Sequence, residues 1–237
     1  MIKSNFCSEV LLCNCSVTII GKRNEAYLMK LPILQDKLEN IDYETFINFC
    51  AVPLEEVSKK SGISISNRLA LFKIYQEHKK DVIKTLNKFF EKYMIGFKYV
   101  DDSLYWGNRL VGKEIFETFC DYCAIAAGKK SIKDLDLIIT DDMDEFEKRR
   151  IEAERRIAKT KAKGKEDGKD LDLSIVLSAV SHEFSLSFQQ LLNMTLYSIY
   201  FMYSELGPIT SYRIANIAAG NGLLKKSSVH KHWGQTQ

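Results

Sequence analysis

Long hydrophobic runs are missing from this chain of 237 residues. No apolar stretch reaches the roughly 18 residues that a bilayer-spanning helix needs, so no membrane partner is expected. Near the start, Glu9 interrupts what a secretory leader would use as its apolar region, and no small-residue cleavage site follows. The expectation is a protein retained in the cytoplasm. Proline is scarce: Pro32 and Pro53 stand where helices are expected to open, and Gly207-Pro208 where one is expected to stop. The phosphate-cradling loops G-x-x-x-x-G-K-S/T and G-x-G-x-x-G are absent, as is the G-x-S-x-G nucleophile turn. Acids are absent after Glu205, while Arg213, Lys225, Lys226 and Lys231 follow. The net charge of +3 is too small to imply nucleic acid by itself. A basic end suits an acidic partner surface, or keeps a terminus solvated.

What is present is a core-forming composition, 46% hydrophobic against 27% charged. The six cysteines are Cys7, Cys13, Cys15, Cys50, Cys120 and Cys123. A reducing compartment keeps such thiols free. Cys120-Asp121-Tyr122-Cys123 has C-x-x-C spacing, but it lies in a helical run and lacks the second ligand pair of a zinc site. Buried structural thiols are the expectation, with no metal and no cofactor. His182-Glu183 begins like H-E-x-x-H, but Leu186 occupies the second histidine's place. Asp141, Asp142 and Asp144 lack the glycine turn and closing glutamate of a calcium loop.

Period and punctuation predict an α+β protein, predominantly α-helical, with three parts. Residues 1–140 form a mixed part with hairpins near 17–29 and 97–111. Within it, Asp42 is placed to cap a helix lined by Phe46, Ile47, Phe49 and Cys50. Ser66 to Met94 reads as mainly helical, and Lys113 to Ala127 as another helix built on Ile115, Phe116, Phe119, Tyr122 and Cys123. Residues 141–170 hold ten acids and ten bases with little to bury, which reads as a charged helix running into a linker. The matched acids argue against nucleic-acid binding there. Residues 171–237 form a helical module with a basic tail.

In that module the run from Met194 to Tyr203 is apolar or aromatic on nearly every side, which fits a core helix or one with a docking face. Tyr197, Tyr200 and Tyr203 recur every third residue, and tyrosine is favoured at interfaces. Gly207-Pro208 is expected to end this helix, and Thr210 to Ala219 to form a last one. Trp233 is a large anchor on a terminal tail that frays unless something holds it.

These residues carry a resemblance. Asn193-Met194-Thr195-Leu196-Tyr197 opens an aromatic helix, Tyr212-Arg213-Ile214-Ala215 follows, and Gly220 and His232-Trp233 close the chain. That order, over about Leu171 to Trp233, resembles the tail assembly chaperones of long-tailed phages and prophages of Gram-positive and gut bacteria. Phe97 to Cys123 is similar to the middle part of such proteins. The resemblance implies a small helical protein without enzymatic activity that binds a tape-measure-like protein in the host cytoplasm. It also implies a frameshift-extended form in some members. The contact residues it suggests are Tyr197, Tyr200, Tyr203, Tyr212, Arg213 and Trp233. Many members are shorter and more acidic, so a permanent subunit of the virion tail, baseplate or connector is the alternative. From another class, a metal-dependent hydrolase or nuclease would use Asp141, Asp142, Asp144 and His182. A homo-oligomer is also open.

Overall fold

The computed structural model describes residues 17–20, 25–100, 103–129 and 172–220. Strand β1 (Val17–Ile20) pairs antiparallel with β2 (Ala26–Met29), Ile20 facing Ala26. Along β2, burial alternates: Tyr27 and Met29 are buried, Ala26 and Leu28 are not. Five helices follow: α1 (Leu34–Glu39), α2 (Tyr43–Ala51), α3 (Leu54–Ser61), α4 (Arg68–His78) and α5 (Lys80–Tyr93). A second antiparallel sheet has the order β3 (Phe97–Val100), β4 (Ser103–Trp106), β5 (Arg109–Leu110), and α6 (Lys113–Ala126) comes next. After residue 171 come α7 (Leu173–Phe184), α8 (Phe188–Leu192) and α9 (Leu196–Gly220). The fold is α+β and predominantly helical, with both hairpins where the sequence put them.

Two compact units divide the described residues. The first holds everything up to Lys129 together with Gln189–Ser198; the second holds residues 172–188 and 199–220. The C-terminal third is thus not one contiguous module, because its middle belongs to the first unit. The charged stretch 141–170 lies outside the described residues, as do Cys7, Cys13, Cys15 and the basic tail with Trp233.

The first unit's core is aromatic. Phe46 of α2 stacks on Phe89 of α5 with ring centroids 4.9 Å apart. Phe90 meets Phe72 of α4 at 5.5 Å, Phe116 of α6 at 5.4 Å and Phe119 at 5.8 Å. Edge and offset contacts of this kind add about 0.5–1.5 kcal/mol each beyond simple burial. Ser66 to Met94 is helical but not one helix. Phe72 and Phe90 would stand ~27 Å apart along a straight helix, yet their rings touch. The chain reverses at Lys79, which both ends α4 and begins α5 (φ −138°, ψ 65°). Asn67 caps α4 by accepting from Ala70 N at 2.8 Å. Asp42 occupies the cap position of α2, but its side chain makes no cap hydrogen bond there because its backbone is already helical.

The two sheets are tied together across the core. Met29 bridges Met94, and Trp106 Nε1 donates to Leu28 O at 3.0 Å. Gly96 (φ 82°) is required where β3 begins: a Cβ there would stand 3.3 Å from the Gly107 backbone, whose N donates to Gly96 O at 2.8 Å. Cys50, Cys120 and Cys123 are free and fully buried. Burial pushes all three thiols up from their ordinary range, so they are neutral structural groups.

Asp36 is a buried acid at the start of α1. Its carboxylate accepts from Ile33 N at 3.0 Å and from Tyr93 OH at 2.8 Å, and pairs with Lys92. Residues 189–198 close the same unit: Leu34 N donates to Met194 O at 2.8 Å, and Tyr197 joins the hydrophobic core. Thr195 precedes α9 and accepts from Ser198 N at 3.1 Å, a helix cap made from the Asn-Met-Thr run.

Candidate docking groove

The second unit carries a groove of about 610 Å³ between α7 and α9. Its construction starts at Asp172, whose side chain accepts from Ser174 N at 2.9 Å and caps α7. That backbone hydrogen bond holds the Asp172 carboxyl below its ordinary value. Val176 and Val180, one turn apart, are the buried residues of α7. The groove takes the rows beside them: Ser174, Ser178 and His182, and Ile175, Ala179 and Glu183. Positions four apart share a helix face, so each row is continuous along the wall. Helix α7 ends at Ser185 in the left-handed region (φ 52°), with Ser181 Oγ donating to Leu186 O at 2.7 Å.

Leu206 and Thr210 of α9 form the opposite wall. Arg213, one turn further on, pairs with Glu183. The Arg213 side chain remains 60% exposed, whereas Glu183 is 20% exposed. Glu183 Oε1 is buried and, despite that ion pair, receives no hydrogen bond. Ile175, Ile214 and Ile217 are 60%, 62% and 64% exposed on these two helices. Ser174, Ser178, Ala179 and Thr210 keep the trough open between Ile175 and Leu206, and His182 and Glu183 make its polar end.

The sequence-predicted contact residues are scattered relative to this groove. Tyr197 is buried in the first unit's core, which removes it from any partner surface. Tyr200, Tyr203 and Tyr212 are half-buried on α9. A three-residue step falls about 60° short of a full turn, so the tyrosines wind around α9 instead of forming one stripe. Tyr203 borders the Leu206 face, while Tyr212, nine residues on, lies on the opposite side. Arg213 does not line the groove but pairs with Glu183, which does. Trp233 lies outside the described residues.

Gly207-Pro208 does not end the helix: α9 runs from Leu196 through Pro208 to Gly220 and absorbs the separate last helix. Proline's fixed φ suits a helix; inside one it removes a donor, here toward Ser204 O, crowds that carbonyl, and also crowds the Cβ of the residue before it. Gly207 has no Cβ. The groove depends on this continuity, because Leu206 and Arg213 lie on either side of the proline.

Sequence reasoning gave no docking role to Ser174, Ser178, Glu183, Leu206 or Thr210. The available signal was the offset of Ile175 from the Val176–Val180 stripe, which puts a large apolar side chain off the buried face. Among the described residues, no group of three or more His, Cys, Asp or Glu side chains is arranged to hold a metal ion. His182 is exposed on the groove wall, and Asp141, Asp142 and Asp144 lie outside the described residues. Among the described residues, no helix is long and apolar enough to cross a membrane. Comparison of the chain with protein-family models, with curated proteins and with solved structures finds no match.

Proposed function

We propose that this protein is a non-enzymatic binding protein of phage tail assembly, acting in the host cytoplasm on a long helical, tape-measure-like client. The observation that carries the reading is the α7–α9 groove, which sets the exposed Ile175, with Ala179, against Leu206 of the facing helix. A large apolar side chain left in solvent on the wall of a concavity is what a helix-binding surface needs and a solvated helix pair does not. The resemblance of Leu171 to Trp233 to tail assembly chaperones names the class of client. Arg213 contributes from the groove's charged end, and Tyr203 from its margin. Tyr200, Tyr212 and Trp233 belong to this reading only through the resemblance.

The test is a titration of the isotope-labelled full chain with a synthetic amphipathic helix of heptad pattern, followed by amide NMR. Shifts confined to α7 and to α9 beyond Leu206, abolished by Ile175→Asp, are expected. Shifts elsewhere, or none, would remove the groove from the proposal. Mass spectrometry of purified virions separates the two roles in assembly. A chaperone is absent from the particles, whereas a tail, baseplate or connector subunit is retained.

A further inference from the structure

We infer that the part of α9 beyond Gly207-Pro208 is a hinged arm. It swings on that pair to open the α7–α9 groove at its polar end, and the Glu183–Arg213 ion pair holds it closed. The inference rests on the reading of the groove as a docking site and adds how that site admits its occupant. Three features of the second unit carry it: a weak joint at the groove, little burial beyond that joint, and a partly exposed ion pair across the opening.

The joint comes from what proline removes. Bending a helix stretches the hydrogen bonds on its outer side, and their resistance keeps a regular helix near straight. Pro208 has no N–H, so the bond to Ser204 O is already missing. The Ser204 hydroxyl donates to Phe201 O at 2.6 Å, which reinforces the turn before the joint and not the joint itself. Gly207 brings the widest backbone freedom to the neighbouring position, and outside its own helix nothing lies within 4 Å of where its Cβ would stand. The groove spans this joint: Leu206 lines it from before the pair and Thr210 from after it.

Burial falls away past the joint. Ile199 is buried and residues 200–206 are all half-buried. From Ile209 to Ala218 the buried residue is Ile209, beside the joint, while Thr210, Ser211, Arg213, Ile214, Asn216 and Ile217 are exposed. The far half of α9 therefore has its own helical hydrogen bonds but little apolar contact to hold it sideways. Arg213 pairs with Glu183 of α7 and ties the arm across the polar end of the groove. The Arg213 side chain is 60% exposed, so the tie is weak and screened by salt, as a contact that must release has to be.

Helix geometry sets the size of the swing. A change in bend of ~20° at Pro208 moves Thr210 by ~1 Å, Arg213 by ~3 Å and Ile217 by ~5 Å. The Leu206–Thr210 wall thus stays in place while the Glu183 end opens. A shift of ~3 Å is enough to part Arg213 from Glu183, so opening the groove and releasing the ion pair are one movement.

Pulsed electron–electron resonance on the full chain tests the inference, with spin-labelled unnatural amino acids at the exposed positions of Ile175 and Ile217. Arg213→Ala, or about 1 M salt, should lengthen the distance between the labels by ~5 Å. The Gly207→Ala/Pro208→Ala chain, whose α9 has no joint, should give a narrower distribution that Arg213→Ala no longer shifts. Pro208→Ala alone serves if that double variant fails to fold. Circular dichroism should show unchanged helix content throughout.

A distance indifferent to Arg213→Ala and to salt overturns the inference. So does a shift of equal size in the chain without the joint, or one accompanied by loss of helix, which is melting of the end and not a swing. The reading beneath it fails differently. If the labels move as expected but the unlabelled chain shows no amide shifts with the amphipathic helix, the docking site falls and the arm stands. If that helix binds in the groove and the labels never move, the arm falls and the docking site stands.

Discussion

Asp36 illustrates what a single residue contributes when its partners are distant in the chain. Its carboxylate holds the start of α1, the hydroxyl of the buried Tyr93 and the half-exposed Lys92. Asp36→Ala leaves the Tyr93 hydroxyl without a partner and removes a charge-assisted bond, for an expected loss of about 2–4 kcal/mol. Lys92→Ala should cost under about 1 kcal/mol, since the ammonium regains water. Urea denaturation of both variants measures the contrast, and equal losses would contradict it. None of this was legible in the sequence. Asp36 reads there as one acid in a polar helix, because the residues that give it its role come 56 and 57 positions later. Residues whose role is local were legible: Gly62 ends α3 in the left-handed region, and Asp172 caps α7.

At the scale of elements, apolar spacing located the helices, and tertiary packing decided where they break. Phe46, Phe49, Phe72, Phe90, Phe116 and Phe119 were all legible as apolar-face residues and all meet in the core. The reversal at Lys79 was not, since no proline or glycine marks it; the demand that Phe72 reach Phe90 imposes it. The opposite error occurred at Gly207-Pro208, where strong stop residues are overridden. This makes a prediction about signs. Gly207→Ala should destabilise the chain by about 1 kcal/mol, although alanine is the better helix former, because its Cβ meets the proline ring. Pro208→Ala should stabilise by about 1–3 kcal/mol, restoring a backbone donor toward Ser204 O. In the Pro208→Ala background, Gly207→Ala should change sign and stabilise. Thermal unfolding of the four chains tests this coupling, and additive effects would refute the steric explanation.

The molecule as a whole is organised by residues 189–198, which belong to the first unit although they follow α7 of the second. A chain ended after Phe188 loses Tyr197 from the core and the Leu34–Met194 hydrogen bond. It should unfold at about 2–4 kcal/mol lower stability than a chain ended after Ser198. Equal urea midpoints for the two chains would show that the return segment contributes nothing. The sequence concealed this arrangement because its changes of composition fall elsewhere, at Asp141 and again at Leu171. Nothing in the pattern of residues 171–203 marks where allegiance passes from one unit to the other.

The return of Tyr197 to a core begun at β1 also bears on the ribosome. The first unit's other described residues are complete at Lys129, but its last core ring is added about 70 positions later. At typical elongation rates that delay is roughly 3–14 s. During it the core built on Phe46 and Phe90 stands without Tyr197, so the nascent chain itself offers apolar surface to the cell's holding factors.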